Sequence, residues 1–271
     1  MKKNLFDITD KIIVITGATG VLGGCVAEYL AEQGAKIILL GRRENEGQAL
    51  EKRIVENGRT AKFFACDVLD EKSLQTVCDD VVKNFKTIDV LINAAGGNKP
   101  GATIMPNQSF LDINTDDFEN VVKLNLSGTL IPTKIFSKPM IEKGEGNILN
   151  FSSVASLRPL TRICGYASAK ASINNLTQFL ATEIATKYGE KIRVNAIIPG
   201  FFLTEQNRTL LTNPDGSYTD RAKSIIRQTP FARFGMPDEL CGCVHYLISD
   251  ASKFVTGTVS IVDGGFSAFA I

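Results

Sequence analysis

Short runs of apolar and β-branched residues recur along the chain, separated by longer segments of helical periodicity. The runs cover residues 11–16 (KIIVIT), 36–40 (KIILL), 62–67 (KFFACD), 90–93 (VLIN), 147–151 (NILNF), 194–199 (VNAIIP) and 259–263 (VSIVD). Their apolarity is continuous instead of alternating, the pattern of strands covered on both faces, and such strands belong to parallel sheets. The segments between them predict helices over 21–33, 44–57, 71–85, 115–142, 165–187 and 237–249. Asp70-Glu71 and Pro237-Asp238-Glu239 put acids and proline in first turns, where the helix dipole and the missing proline N–H favour them. The alternation predicts an α/β, doubly wound, seven-stranded parallel sheet. No repeat, linker or low-complexity tract divides it, so residues 1–271 read as one domain.

One stretch breaks the rhythm, between Pro199 and Pro237, with Asn213-Pro214-Asp215-Gly216 in its middle. An excursion of this length in a compact domain is commonly functional. It leaves the carboxyl end of the sixth strand, the edge where open α/β sheets bind ligands. Residues 201–236 are therefore expected to form a short lid.

Charge and composition remove several classes. Lys plus Arg number 30 against 29 Asp plus Glu, which gives no basic field for non-specific nucleic-acid binding. The 44% hydrophobic content suffices for a large core. Cys25, Cys66, Cys78, Cys164, Cys241 and Cys243 are too sparse for a disulfide framework, and the CxC at 241–243 lacks a second pair for zinc. The first residues carry Lys2 and Lys3, but Asp7 and Asp10 interrupt any signal-like apolar stretch, and no run approaches a membrane span. The expectation is a reduced, cytoplasmic protein with no metal, membrane or nucleic-acid partner.

Thr16-Gly17-Ala18-Thr19-Gly20-Val21-Leu22-Gly23-Gly24 joins the first strand directly to the first helix. Glycines there permit a tight turn and close approach of backbone to a pyrophosphate, whose charge the helix amino terminus stabilises. The spacing is GxxGxxG. After the second strand comes Arg42, where an NAD site commonly places an acid; its guanidinium offers a fork of donors to a 2′-phosphate and favours NADP over NAD. Tyr166 and Lys170 stand at i and i+4, one above the other on a helix. At roughly 4 Å and an effective dielectric near 20, the ammonium is worth about 4 kcal/mol to a phenolate. That is roughly three pKa units, an upper figure because burial opposes it. Tyr166 is thereby expected as a proton-transfer residue with its pKa drawn down by Lys170.

With these motifs go Asp67-Val68, Asn93-Ala94-Ala95-Gly96, Asn125 in LNLSG, Ser153, Arg193-Val194-Asn195-Ala196, Pro199-Gly200, Thr204 and Val262-Asp263-Gly264-Gly265. In this order, over essentially the whole chain, they resemble the short-chain dehydrogenase/reductase family, whose fold is a single-domain Rossmann-like one. The resemblance implies Tyr166 as general acid/base and Lys170 as its partner and ribose ligand. Ser153 would bond the substrate oxygen and Asn125 would hold a water linking Lys170 to solvent. Gly17, Thr19, Gly20, Val21, Leu22, Gly23, Arg42, Asp67, Val68, Asn93, Ala94, Ala95, Gly96, Tyr166, Lys170, Pro199, Gly200 and Thr204 would bind NAD or NADP. Two positions depart from the family pattern: the middle glycine is Gly20, with Val21 following, and Ala94 stands where a second asparagine is usual. A homotetramer is also implied.

The segments around Arg158-Pro159-Leu160-Thr161-Arg162 and Phe201-Phe202-Leu203-Thr204-Glu205-Gln206-Asn207-Arg208, with Asn98-Lys99, resemble the fructuronate reductase or D-mannonate oxidoreductase branch. Cations and amides beside a hydride-transfer site suit a polar, anionic sugar, whereas a lipid pocket would be apolar. Substrate contacts are expected from Asn98, Lys99, Ser153, Arg158, Arg162, Tyr166, Gln206, Asn207 and Arg208. Two alternatives stay open: a reductase of neutral ketoses or a gluconate-type hexonate, and a non-catalytic nucleotide sensor. Intact Ser153, Tyr166, Lys170 and Asn125 weigh against the sensor. His245, the lone histidine, and Cys164 are read as bystanders.

Overall fold

The computed structural model describes residues 4–204, 208 and 211–269. Seven strands, β1 Ile12–Thr16, β2 Lys36–Gly41, β3 Thr60–Ala65, β4 Val90–Asn93, β5 Gly146–Phe151, β6 Ile192–Pro199 and β7 Val259–Val262, form one sheet in the order β3-β2-β1-β4-β5-β6-β7. Every pairing is parallel. The chain reverses its winding direction between β1 and β4, which opens a crevice at the carboxyl ends of those strands.

β1 explains why its residues have no polar alternation. Ile13 and Ile15 face one layer, Ile12 and Val14 the other, and all are buried. The first layer holds α1 (Val21–Glu32), α2 (Glu44–Glu56) and α8 (Cys241–Ile248); their Val26, Leu30, Leu50, Ile54, Val244 and Leu247 pack together. The second holds α3 (Glu71–Phe85), α5 (Gly128–Lys143) and α6 (Cys164–Tyr188), through residues such as Leu74, Val81, Phe136, Met140 and Ile184.

The register gathers the motifs on one edge. Thr16 pairs with Leu40 on one side and Asn93 on the other; Asn93 pairs with Asn150, Phe151 with Ile197, and Pro199 with Val262. The loops that follow these residues carry the glycine turn, Arg42, Gly96, Ser153 and Gly200.

The segment predicted as one helix over 115–142 is interrupted. α4 (Thr115–Val122) passes into a π-helical turn at Lys123–Ser127, and α5 follows. A single π turn adds a residue to the helical circuit and so re-aims the side chains on it; here the re-aimed residue is Asn125. The stretch expected as a lid contains α7 (Asp220–Arg227), and a small separate core joins Leu211, Ala222, Ile225 and Phe234. Among the described residues no helix is long and apolar enough to cross a membrane.

Candidate active site

The glycine turn is pressed between two backbones. Gly17 adopts a φ of 68°, and a Cβ there would sit 2.7 Å from the backbone of Ala95. A Cβ at Gly23 would lie 2.6 Å from the carbonyl oxygen of Gly17, so the loop can fold onto α1 only with glycine at that position. Helix α1 follows Gly20, its N-cap residue, with no side-chain cap and no acid in its first turn. Helices α2, α3, α4 and α7 all carry acids there. An uncapped terminus keeps its N–H groups and partial positive charge turned outward, which suits a pyrophosphate. The loop therefore fits a dinucleotide.

Beyond β2, Arg42 pairs with Asp67 at 3.8 Å. Asp67 also accepts from the Leu69 N–H at 2.9 Å, and Val68 beside it is buried. Arg43 donates to the carbonyl of Thr19, tying the start of α2 to the glycine turn. Gly200 lies flat against β7, donating to Val262 at 2.8 Å, and a Cβ on it would come within 2.6 Å of Asp263. Thr204 follows, half-buried.

The reaction centre lies farther along the same edge. Ser153 starts a short 3-10 turn after β5, its Oγ accepting from the Ala155 N–H at 3.2 Å. It lies close enough to the phenol of Tyr166, in the first turn of α6, to hold that phenol's pKa down. One turn on, Lys170 is only 4% exposed; its Nζ lies 5.6 Å from the Tyr166 ring centroid and donates to the Phe151 carbonyl at 2.7 Å. Burial holds Lys170 down at about 8. Burial likewise pushes the Tyr166 phenol above its ordinary value, opposed by the Ser153 hydroxyl. This corrects the expectation of a phenol drawn down by Lys170: in the protein alone, desolvation of the phenolate outweighs an ammonium that is itself spent on a carbonyl.

Asn125 is fully buried and occupied. Its Nδ2 donates to Gly97 at 2.7 Å and Val121 at 2.8 Å, while Oδ1 accepts from the Gly97 N–H at 3.2 Å. A Cβ on Gly96 would fall 2.6 Å from Asn125 Oδ1 and 3.3 Å from Lys170 Nζ. Gly96 is thus the gap through which Asn125 and Lys170 approach each other.

Asn93, expected among the dinucleotide-binding residues, ends β4. Its side chain turns into the core, donating to Thr133 and Asn150, each at 2.9 Å. Asn150 donates to Thr177 at 2.9 Å, Thr133 to Thr129, and Thr129 to the Asn125 carbonyl, both at 2.8 Å. This buried chain spans β4, β5, α5 and α6 and fixes the helices that carry Asn125 and Lys170. The sequence signal for it was faint: single polar residues inside apolar runs, at Asn93, Asn150 and Thr177. Ala94 and Ala95 flank the groove half-buried, and the Ala95 N–H donates to Thr16 Oγ1 at 3.2 Å.

The expected substrate contacts divide. Asn98 donates to Thr103 at 2.9 Å, and Lys99 pairs with Asp117 at 3.4 Å. Arg158 does not stand open: its guanidinium donates to the Ser267 and Phe269 carbonyls at 2.5 and 3.1 Å, clamping the carboxyl-terminal segment. That placement departs from the expected carboxylate contact. Arg162 is half-buried with a φ of 78°. Arg208 is exposed, and Gln206 and Asn207 lie outside the described residues. Cys164 opens α6, and buried His245 is held by the Tyr29 hydroxyl at 3.0 Å and the Phe6 carbonyl at 2.6 Å, away from the reaction centre.

Comparison with known proteins extends the geometry. A family model for short chain dehydrogenases matches residues 11–215. An uncharacterized oxidoreductase of Bacillus subtilis, UxuB, is 41% identical over 273 residues, 97% of each chain. A Haemophilus influenza crystal structure described as a "putative D-Mannonate oxidoreductase" with bound NAD is 40% identical, with a TM-score of 0.91 over 98% of this chain and 99% of that one. A gluconate 5-dehydrogenase of Burkholderia cenocepacia, in complex with NADP and tartrate, is 31% identical, with a TM-score of 0.86 over 98% of each.

Proposed function

Because the chain belongs to the short chain dehydrogenase family, we propose that this oxidoreductase interconverts D-fructuronate and D-mannonate with NAD or NADP. The observation that carries the reading is the Ser153 hydroxyl beside the Tyr166 phenol, with buried Lys170 one turn away and 5.6 Å from the Tyr166 ring centroid. The likeness to the Haemophilus structure supports the choice of substrate.

The dinucleotide, when bound, supplies or accepts the hydride. Gly17, Thr19, Gly20, Val21, Leu22 and Gly23 would hold its pyrophosphate. Arg42, Asp67 and Val68 would border the adenosine end. Gly96, Pro199, Gly200 and Thr204 would border the nicotinamide end, with Ala94 and Ala95 between. Ser153 donates a hydrogen bond to the substrate oxygen and fixes it beside the phenol. In the reducing direction Tyr166 delivers its proton to that oxygen as the carbonyl carbon becomes C–H. The resulting phenolate is stabilised by protonated Lys170. Asn125 keeps the Gly96–Gly97 backbone against Lys170 and so maintains the amine's position.

Cofactor choice is a contest at Arg42. Its guanidinium favours a 2′-phosphate, whereas its ion pair with Asp67 engages the same group. Similar structures carry NAD in one case and NADP in another. The second substrate reading, a gluconate-type hexonate, draws on the Burkholderia relative. A cytoplasmic homotetramer completes the proposal, consistent with exposed Leu130 on α5 and Phe179 on α6.

The test is nicotinamide absorbance with keto-hexuronates, hexonates and neutral ketoses, using NADH and NADPH in parallel. Turnover is expected with fructuronate, and Tyr166→Phe should lower kcat ~10²–10⁴-fold while dinucleotide binding persists. Turnover of neutral ketoses alone would replace the reading.

A further inference from the structure

Cations near the reaction centre are mostly committed. Lys99 is paired with Asp117, Arg158 holds the tail carbonyls, and Arg233 is bidentate with Glu239. On α7, Lys223 pairs with Asp220 and Arg227 donates to Ser224. Two guanidinium groups differ. Among the described residues, neither Arg162 nor Arg221 has a side-chain hydrogen bond or ion pair, and both are half-buried.

They are also neighbours. Arg162 lies in the loop between Ser153 and Tyr166, its carbonyl accepting from the Ile104 N–H at 2.9 Å. Its left-handed backbone is disfavoured for a non-glycine residue and is held by that contact. Arg221 sits in the first turn of α7. Phe201 joins the two regions: it packs against the cluster of Val154, Ile198 and Phe266, as Leu160 of the loop does, and against the core that contains Ile225 of α7, as Ile226 does. Burial, and after it the nearby Arg162 charge, holds the Arg221 guanidinium below its ordinary value. Helix α6 begins at Cys164, two residues after Arg162, with neither a side-chain cap nor an acid in its first turn. Two half-buried like charges, neither paired with a carboxylate among the described residues, are unfavourable until an anion joins them.

We propose that Arg162 and Arg221 together bind the substrate carboxylate and set the preference for acidic sugars. This rests on the sugar-acid reading above. Tyr166 follows Arg162 by four residues, one turn into α6, so a carboxylate held there belongs to a substrate whose reacting oxygen meets Ser153 and Tyr166. A planar guanidinium accepts a carboxylate bidentately, and a second one adds charge without competing for the same oxygen lone pairs.

The experiment compares wild type, Arg162→Gln, Arg221→Gln and the double variant. Readouts are kcat and KM for D-fructuronate and a neutral ketose, calorimetric binding of D-mannonate to the enzyme–dinucleotide complex, NADH and NADPH affinity, and thermal melting. Arg162→Gly keeps the positive φ while removing the charge, and Arg221→Lys keeps the charge while removing the fork. Each Gln variant is expected to raise KM for fructuronate about ten- to a hundredfold and weaken D-mannonate similarly. The loss for the neutral ketose should be much smaller, with dinucleotide affinity intact and melting no lower than that of the wild type. Arg162→Gly should match Arg162→Gln, and Arg221→Lys should recover part of the loss. Unchanged KM in both Gln variants, or equal loss for acid and neutral substrates, overturns the arginine assignment while leaving the sugar-acid reading standing. Absence of both turnover and binding of every sugar acid by wild type overturns the reading itself, and the assignment with it.

Discussion

Lys170 makes the sharpest demand on stability, and replacing it with methionine isolates that demand. The amine is 4% exposed and its pKa falls from an ordinary 10.5 to about 8, with burial as the cause. That difference corresponds to about 3 kcal/mol of penalty on the folded, charged form. Because the folded value lies below the unfolded one, the unfolded chain binds more protons between pH 8 and 10.5. Stability therefore rises with pH across that window; the penalty is absent above it and complete below it. Methionine has similar length and no charge, but it loses the hydrogen bond to the Phe151 carbonyl, a cost of about 1 kcal/mol. The net expectation for Lys170→Met is a gain of about 2 kcal/mol at pH 6–7, or roughly 4–8 °C in Tm, with activity lost. The assay is thermal melting of both proteins without dinucleotide, from pH 6 to 10.5. The difference should shrink towards alkaline pH and change sign near the top of the range, where only the lost hydrogen bond remains. A pH-independent difference, or a variant less stable at pH 6, would refute the argument.

Two further outcomes follow from close contacts. Gly96→Ala places a methyl 2.6 Å from Asn125 Oδ1 and 3.3 Å from Lys170 Nζ; it should cost about 1–3 kcal/mol of stability by overpacking and lower kcat by displacing the amine. Wild-type melting together with wild-type kcat would show the gap to be spare room. Asp67→Asn frees Arg42 from its ion pair and should shift the ratio of NADPH to NADH affinity towards NADPH, whereas Arg42→Ala should shift it the other way by about tenfold. Dinucleotide titrations that leave the ratio fixed in both variants would exclude Arg42 as a phosphate reader.

The interior strands β1, β2, β4, β5 and β6 were readable from the chain because both faces of each are buried, so their apolar runs are uninterrupted by solvent-facing residues. β1 and β4 are the clearest cases, with Ile13, Val14, Leu91 and Ile92 all fully buried. The loop motifs were readable because backbone geometry restricts residue type: only glycine fits where Gly17 faces Ala95. What the chain concealed depends on partners distant in sequence. Residues 115–142 show continuous helical periodicity, and the π turn at Asn125 is set by its bonds to Gly97. Arg158 and Arg162 look equivalent as neighbours of Ser153. Their difference comes from a tail more than a hundred positions away, which occupies one and not the other. The same holds for Arg221, an unremarked helix residue until the fold brings it beside Arg162.

Burial acts on both members of the proton-transfer pair, in opposite senses. It raises the Tyr166 phenol and lowers the Lys170 amine to about 8. As pH rises in the protein alone, the amine therefore gives up its proton before the phenol does. At neutral pH both are protonated, and Tyr166 stands ready to donate. That is the state required to protonate a ketone oxygen during reduction. Oxidation of an alcohol requires the phenolate, which this arrangement reaches only against the desolvation of the ring oxygen and with Lys170 still charged. Any agent that restores positive charge at Lys170, such as a bound polyanionic dinucleotide, lowers that barrier and couples the readiness of the base to cofactor occupancy. The pH profiles should then differ by direction: reduction holding steady through neutral pH, and oxidation rising with pH until Lys170 deprotonates. Identical profiles in the two directions would mean that the pair's resting electrostatics do not govern the chemical step.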